Sequence, residues 1–402
     1  MKILVLNSGS SSLKYKLYEV GADGAEFNAI AAGGAERIGI EGSFIKHKKS
    51  GRKTDQIYCE LPSHTQTIKK IFEMLQDPEM GSLSRLGELS GVGHRVVHGG
   101  EDFTKSVMVD GQVVEAIRKN AALAPLHNPP NLLGIDAVYK LLPEMKQVAV
   151  FDTAIHQTMP PKAYLYGLPK EQYSTYKIRR YGFHGTSHGY VAKKAAEKLG
   201  RPLEELKLIT CHLGNGGSIT AFEGGRSIDT SMGFTPLAGI LMGTRSGDLD
   251  PYIPLYIMQS QELTAEQVSA MMNKRGGLLG LCGKNDMRDI TAGVEEGDKA
   301  CKDALEIFIY RIQKYIGSYI AALNGVDAIV FTAGIGENVH HVRRSILENF
   351  SYVGIMCDDA ANEANEPVIS TKDSKAAALV IHTDEELVIA QDTFEIISGK
   401  NS

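Results

Sequence analysis

ILVLNSGSSSLKYKLYEV, residues 3–20, runs from an apolar strand through a Gly/Ser turn into a second segment where Leu13, Tyr15 and Leu17 alternate with Lys14 and Lys16. That alternation is the period of a strand, not of a helix. A P-loop needs its Gly-Lys-Ser/Thr at the mouth of a helix. A Rossmann fingerprint needs G-x-G-x-x-G opening one. With a strand on the far side of the turn, both fail. The remaining reading is a hairpin, and two explanations of its turn stay open. Turns are commonly small and polar, or successive backbone N–H groups here cradle an anion. In the second case Ser10 and Ser12 add hydroxyls on the face of Lys14, and Asn7 ends the first strand within reach of a metal or its water.

The pattern recurs. LITCHLGNGGSITAFEGG, residues 208–225, again reads apolar strand, Asn/Gly/Ser turn, alternating strand. A third Gly-rich turn ends DAIVFTAGIGEN, residues 327–338. Two echoing hairpins, one in each half, predict a duplicated α/β domain with a turn from each half facing a shared cleft. Between them, strand-like and helix-like segments alternate, as an α/β class requires. HTQTIKKIFEMLQD puts Ile68, Ile71, Phe72 and Leu75 on one helical face. A long helix carries Leu305, Phe308, Ile309, Ile312, Ile316, Ile320 and Leu323, with Gly325 as its C-cap. The tail TDEELVIAQDTFEII reads as a helix with acids in its first turn. TSHGYVAKKAAEKLG is a helix with Thr186 or Ser187 as N-cap and Gly200 and Pro202 as stops. The boundary falls after QVAVFD, and Pro160-Pro161 interrupts the next segment. The expected domains are 1–151, joined by a C-terminal helix 386–402, and 152–385.

The chain has 402 residues, 43% hydrophobic and 23% charged, with a net charge of −5. Its basic and acidic residues are interspersed, which argues against nucleic acid and against an anionic membrane surface. No apolar run reaches the ~18 residues of a spanning helix, and the N-terminus lacks a signal-peptide core, so a cytoplasmic protein is expected. Five scattered cysteines show no zinc or CxxC spacing and read as small buried hydrophobes.

NSGSSSLK, GHRVVHGG, PLHNPPNL, FDTAIH, RRYGFHGTSH, CHLGNGGS, DTSMGFTPLAG, GTRSGDLDP and FTAGIGEN come one after another in order along the chain. Together they resemble the acetate kinases, relatives of sugar kinases, actin and heat-shock chaperone ATPases. Two small departures stand out: Ile155, where the family usually has Phe, and Asp384, where it usually has Asn. The resemblance implies actin-like (ribonuclease H-like) domains flanking a nucleotide cleft, and reversible Mg²⁺-dependent transfer of the ATP γ-phosphoryl group to acetate, giving acetyl phosphate and ADP. Mn²⁺ could substitute for Mg²⁺. A homodimer is implied, with much of the interface in the second domain.

An acceptor carboxylate is ionised at neutral pH, so such a site needs cations and donors rather than a general base. By resemblance, Arg95 binds the acceptor carboxylate, and Arg245 and His184 stabilise the transferring phosphoryl group. The planar guanidinium fork suits both arginines. Asp152 orients Mg²⁺-bound water and the phosphoryl group, and Asn7 and Glu385 are the metal positions. Lys14, His212, Leu213, Gly214, Asn215 and Gly216 correspond to phosphate contacts. Asp286, Met287 and Arg288, with Gly334, Ile335, Gly336, Glu337 and Asn338, correspond to the flanks of the adenosine. Val97, Leu126, Phe183 and Pro236 match the family's acyl pocket and favour acetate. The rivals are a propionate kinase of the same family, a non-enzymatic actin-like or chaperone-like nucleotide switch, and a sugar kinase.

Overall fold

A computed structural model describes residues 1–124 and 127–399. The chain forms two compact units, Met1–Ala154 together with the chain from Asp384 onward, and Ile155–Thr383. Unit 1 carries an eight-stranded sheet and unit 2 a five-stranded one. In chain order the strands of unit 1 are β1 Lys2–Ser8, β2 Ser12–Val20, β3 Phe27–Glu36, β4 Phe44–Lys49, β5 Asp55–Tyr58, β6 Leu89–Val96, β7 Val107–Met108 and β8 Gln147–Phe151. Those of unit 2 are β9 Lys207–Leu213, β10 Gly217–Glu223, β11 Arg226–Thr230, β12 Ala328–Thr332 and β13 Ala377–Val380.

The echo in the sequence is a duplication of topology. Unit 1 contains the order β3-β2-β1-β6-β8 and unit 2 the order β11-β10-β9-β12-β13. In both, the first three strands are antiparallel neighbours and the next two join the central strand in parallel. Each quoted hairpin is the central strand of its sheet plus its antiparallel neighbour. The central strands are covered on both faces, which is why they read as unbroken apolar runs.

Ile3, Leu4, Val5 and Leu6 are all buried, and the two-residue strand period sorts them. Leu4 and Leu6 join Leu13 and Leu17, with Ile68, Ile71 and Phe72 of the helix His64–Leu75. Ile3 and Val5 face Ile389, Ala390 and Phe394 of the C-terminal helix Glu385–Ser398. That helix approaches β6 closely because position 93 is Gly: a Cβ there would lie 2.3 Å from Thr393 Oγ1. In unit 2, Leu208, Ala328 and Val330 pack on Val191, Ala192 and Ala195 of the helix Gly185–Leu199.

Three local expectations are corrected. The long helix Lys299–Leu323 buries Cys301, Ala304, Phe308, Ile312, Ile316, Tyr319 and Leu323. Leu305, Ile309 and Ile320 lie at the margin of that stripe and are half-buried, because 3.6 residues per turn carries them off its centre. Its C-cap is Asn324 in the left-handed region, at φ 53°, with Gly325 next in the chain; Asn tolerates that conformation. The helix at residue 185 is preceded by His184 itself as N-cap, at φ 57°, and not by Thr186 or Ser187. Finally, the turn after β12 is a six-residue helix, Ala333–Asn338. Glu337 explains it, since its Oε1 accepts from Ala333 N at 2.8 Å and Thr332 Oγ1 at 3.2 Å. The first turn is capped by its own fifth residue.

Among the described residues no helix is long and apolar enough to cross a membrane. All five cysteines are free, with Cys211 and Cys301 buried.

Candidate functional site

Each unit presents its own set of the residues that the motifs pick out. In unit 1, Asn7 and Lys14 are directly paired across the β1–β2 hairpin. Arg95 is near the end of β6, and Asp152 comes directly after β8, hydrogen-bonding through its N–H to Val96 O at 2.9 Å. The guanidinium donates from Nη2 to Asp152 Oδ2 at 2.9 Å, while its Nε lies 3.6 Å from Glu385 Oε2. Burial opposes the charge on Arg95, but Asp152 and Glu385 outweigh it and hold the group firmly protonated. Glu385 responds the other way. Burial pushes its carboxyl up to about 7; Arg95 and Lys14 act against this, and Asp152 and Glu386 add to it. The cluster therefore carries more negative charge than its own cations relieve.

That imbalance is a test of the implied metal. The oxygen donors of Asn7, Glu385 and Asp152 suit a hard divalent cation, and crowding of carboxylates is what such an ion neutralises. Among the described residues no group of three or more His, Cys, Asp or Glu side chains is placed to hold a metal. A sparse protein shell completed by water and phosphate oxygens is the habit of Mg²⁺. The residues present fit that ion.

The backbone around Arg95 is held by two asparagines whose roles the sequence reading missed. Asn131 accepts from Val97 N at 3.1 Å and donates to Ser8 O at 2.8 Å. Asn128 accepts from His98 N at 3.1 Å and donates to His98 O at 2.9 Å. Both lie in the helix Asn128–Leu141 and are buried. The fragment HNPPNL carried the signal, as two polar residues three apart in an otherwise apolar helix start. Val97 is buried beside them. Leu126 lies outside the described residues.

In unit 2 the turn Gly214–Gly216 joins β9 to β10, closed by Gly214 N on Gly216 O at 3.0 Å. A Cβ placed on Gly216 would meet Arg245 Nη1 at 3.4 Å, His184 Cε1 at 3.5 Å and His184 Nε2 at 3.6 Å. Gly216 thus leaves open the point on which Arg245 and His184 converge. Arg245 donates from Nη1 to Pro236 O at 3.2 Å, and among the described residues it has no carboxylate partner. Burial lowers its pKa, with no acid to offset the cost. A half-buried guanidinium without an anion is suited to receiving one. Its loop is pinned by Asp248, which accepts from Gly239 N at 2.8 Å and from the Tyr315 hydroxyl. Phe183 is buried next to His184 in sequence, and Pro236 is half-buried.

His184 stacks on His212, with ring centroids 4.2 Å apart and planes at 23°. Its Nδ1 lies 2.9 Å from Ser218 Oγ, and Ser187 Oγ lies 2.8 Å from His212 Nδ1. These rings are oriented by buried hydroxyls rather than by a carboxylate.

A cavity of about 490 Å³ lies beside the turn, lined by Gly214, Asn215, Asn285, Asp286, Met287, Arg288, Gly334, Ile335, Asn338 and Val339. Eight of the residues singled out in the sequence thus line one space. His212, Leu213, Gly216, Gly336 and Glu337 are not part of its lining, and Lys14 belongs to unit 1. Gly334 has open space where a side chain would be. Glu337 faces inward instead, with Oε2 2.7 Å from His382 Nδ1 and Oε1 accepting also from Thr383 N at 3.1 Å. Asp286 and Arg288 pair through both prongs of the guanidinium at 2.9 and 2.6 Å, holding the Asp286 carboxyl down at about 2.

The helix Ala333–Asn338 is anchored from behind by a residue that no motif pointed to. Arg343, fully buried, donates to Gly336 O at 3.0 Å and Glu337 O at 2.9 Å. It also donates to Asn362 Oδ1, Asn362 O and Asn365 Oδ1 at 2.8, 2.8 and 2.6 Å. Burial lowers it to about 10, and its acceptors are carbonyl oxygens, two of them in the last turn of that helix. The two departures noted in the motifs also have places. Ile155 packs against Gly189, and Asp384 caps the C-terminal helix through Leu387 N at 3.0 Å while pairing with Lys16 at 3.3 Å.

Comparison with known proteins agrees with the motifs. A model of the acetokinase family matches residues 2–391. The acetate kinase of Thermotoga maritima is 53% identical over 99% of both chains, and that of Acetivibrio thermocellus is 50% identical over 99% of this chain and all of its own. Among solved structures, Porphyromonas gingivalis acetate kinase superposes with a TM-score of 0.94 at 42% identity, covering 98% of this chain and 99% of that one. A propionate kinase from Francisella tularensis gives 0.92 at 42% identity with the same coverage. With its two mixed sheets, its motifs in order and relatives half identical along their whole length, the chain belongs to the acetokinase family.

Proposed function

We propose that this chain is an acetate kinase that moves the γ-phosphoryl group of ATP directly to the carboxylate of acetate, reversibly, giving acetyl phosphate and ADP. The observation that carries the reading is the convergence of His184 and an acid-free Arg245 on the open point above Gly216. Donors aimed where phosphoryl charge gathers lower the barrier by electrostatic stabilisation, and phosphoryl transfer asks little else of a protein. The cavity between Asn285–Arg288 and Gly334–Asn338 takes the adenosine. The Gly214–Gly216 turn and Lys14 take phosphates. Arg95, held by Asp152 and Glu385, orients the acceptor carboxylate, which is already ionised and needs no base. Asn7 and Glu385, with Asp152 beside them, hold Mg²⁺ through oxygen and water. The ion, when bound, neutralises charge on the phosphates and ties them in line. Free cysteines throughout accord with a reducing, ATP-containing cytoplasm.

Val97 limits the acceptor chain, and one methylene in an apolar pocket is worth only ~1–3 kcal/mol. The likeness to a propionate kinase structure makes propionate the rival acceptor. A hydroxamate assay with ATP, Mg²⁺ and acetate, propionate or butyrate separates them. The highest kcat/KM is expected with acetate; a higher value with propionate assigns the rival activity, and no acyl phosphate with any of them refutes the reading.

The helix Tyr252–Ser260 buries none of its residues, and Leu249, Tyr252, Ile253, Leu255 and Tyr256 are all exposed. An apolar face of this kind is usually covered, and here a second copy of the chain is the expected cover. Light scattering should return twice the 43.6 kDa chain mass; a monomer at micromolar concentration contradicts this.

A further inference from the structure

Behind His184, unit 2 buries a row of alternating hydroxyl and imidazole groups. Ser218, on β10, places Oγ 2.9 Å from His184 Nδ1 and 2.7 Å from His188 Nε2. His188 Nδ1 lies 2.7 Å from Oγ1 of Thr210, on β9. Ser218, His188 and Thr210 are completely buried.

The protons of such a row are constrained. A hydroxyl donates one hydrogen bond, and a neutral imidazole donates from one nitrogen and accepts at the other. Ser218 touches two ring nitrogens, so it donates to one and accepts from the other. The whole row therefore points one way. Either Thr210 donates to His188, His188 to Ser218 and Ser218 to His184, or every bond is reversed. In the reversed row Thr210 accepts, and its own proton needs a further acceptor. Thr210 makes no other side-chain hydrogen bond among the described residues. In the forward row each of these protons has an acceptor, and an unmet buried hydroxyl is costly.

We infer that Ser218 is a positioning residue: oriented through His188 from Thr210, it donates to Nδ1 of His184 and keeps the proton of that ring on Nε2. Nε2 is 3.6 Å from the point above Gly216 that Arg245 also reaches. This inference rests on the phosphoryl-transfer reading. An N–H there donates to a phosphoryl oxygen, whereas a lone pair repels it. The residue that fixes a histidine's tautomer is often a carboxylate or a backbone carbonyl. A hydroxyl row does so without adding negative charge beside a phosphate.

The test uses the full-length protein and two readouts. Proton–nitrogen correlation spectra of wild-type ¹⁵N-histidine protein should show His184 protonated at Nε2. In Ser218→Ala the His184 signal should move toward a mixture of tautomers. Thr210→Val, close in shape, frees the row to reverse and should move part of the population to the Nδ1–H form. In kinetics, Ser218→Ala should lower kcat by about tenfold or more, with the KM for ATP and acetate within about threefold, and Ser218→Thr should recover most of the loss. A wild-type spectrum with the proton on Nδ1 overturns the inference, as does a Ser218→Ala kcat within about twofold of wild type. An unchanged spectrum in Thr210→Val overturns the Thr210 step. If Ser218→Ala does not fold, the wild-type spectrum decides alone. A protein with the Nε2–H tautomer but no acyl phosphate formation loses the functional reading and keeps the row; the opposite pattern loses only the row.

Discussion

Gly216→Ala separates stability from chemistry more cleanly than removal of Arg245 or His184. A methyl group at position 216 meets its three nearest neighbours at 3.4, 3.5 and 3.6 Å, all ordinary contact distances. Gly216 is not in the left-handed region, so Ala can occupy its backbone conformation. Such a change stabilises a fold by about 0.4–1 kcal/mol, chiefly by restricting the unfolded chain. The same methyl fills the point shared by Arg245 and His184. A phosphoryl oxygen bonded to both nitrogens would sit about 2.8 Å from each, in the space the methyl takes. Two hydrogen bonds to charged groups are lost, each contributing about 1.5–3 kcal/mol. At 1.36 kcal/mol per decade, kcat should fall by about two to four orders of magnitude. The adenosine cavity does not include Gly216, so the KM for ATP should stay within about threefold. Hydroxamate formation at saturating acetate and ATP, with a thermal melt of the same preparation, gives both quantities. A stable variant with kcat within about threefold of wild type would refute the assignment of this point to the transferring phosphoryl group.

Two other outcomes concern buried groups. His94 is held at about 4, first by burial, with the Gln147 side chain at 2.7 Å acting weakly against it. Its folded pKa lies below its unfolded value of 6.5, so its contribution to stability is complete above pH 6.5 and is lost as the pH falls toward 4. Urea unfolding at pH 7 and pH 5 should show a loss of about 2 kcal/mol that is missing from His94→Asn; an equal loss in both proteins rules His94 out as its source. Arg343→Lys keeps the charge but has three donors where Arg343 makes five hydrogen bonds to neutral acceptors. A loss of about 2–4 kcal/mol in stability is expected, with a several-fold rise in the KM for ATP and little change in kcat. An unchanged KM would mean that the helix Ala333–Asn338 holds its place without this anchor.

Much of the fold was legible because it is written in short periods. Alternation in Leu13–Leu17 excluded a helix after the first turn, and the repeat at Leu208–Gly225 announced a second sheet of the same order. Burial on both faces made β1 and β9 unbroken apolar strings, and such strings are readable without coordinates. Local caps were less legible because they depend on reach. The Gly-rich segment after Phe331 looks like a turn in one dimension. It is a helix because Glu337 reaches back to Ala333 and Arg343 takes its last carbonyls.

Sequence alone determined the class, the duplicated hairpins, the family and the identities of the charged and glycine residues in its motifs. Tertiary structure decided which of them meet. Nothing in the letters separates Gly334, which faces open space, from Gly336, which packs inward two residues later. Nor do they tell that Arg95 is gripped by two acids while Arg245 has none, or that Ser218 stands between two imidazoles. Periodicity is a property of neighbours along the chain. Burial, charge compensation and the direction of a proton row are properties of groups tens or hundreds of residues apart, and only packing brings these into contact.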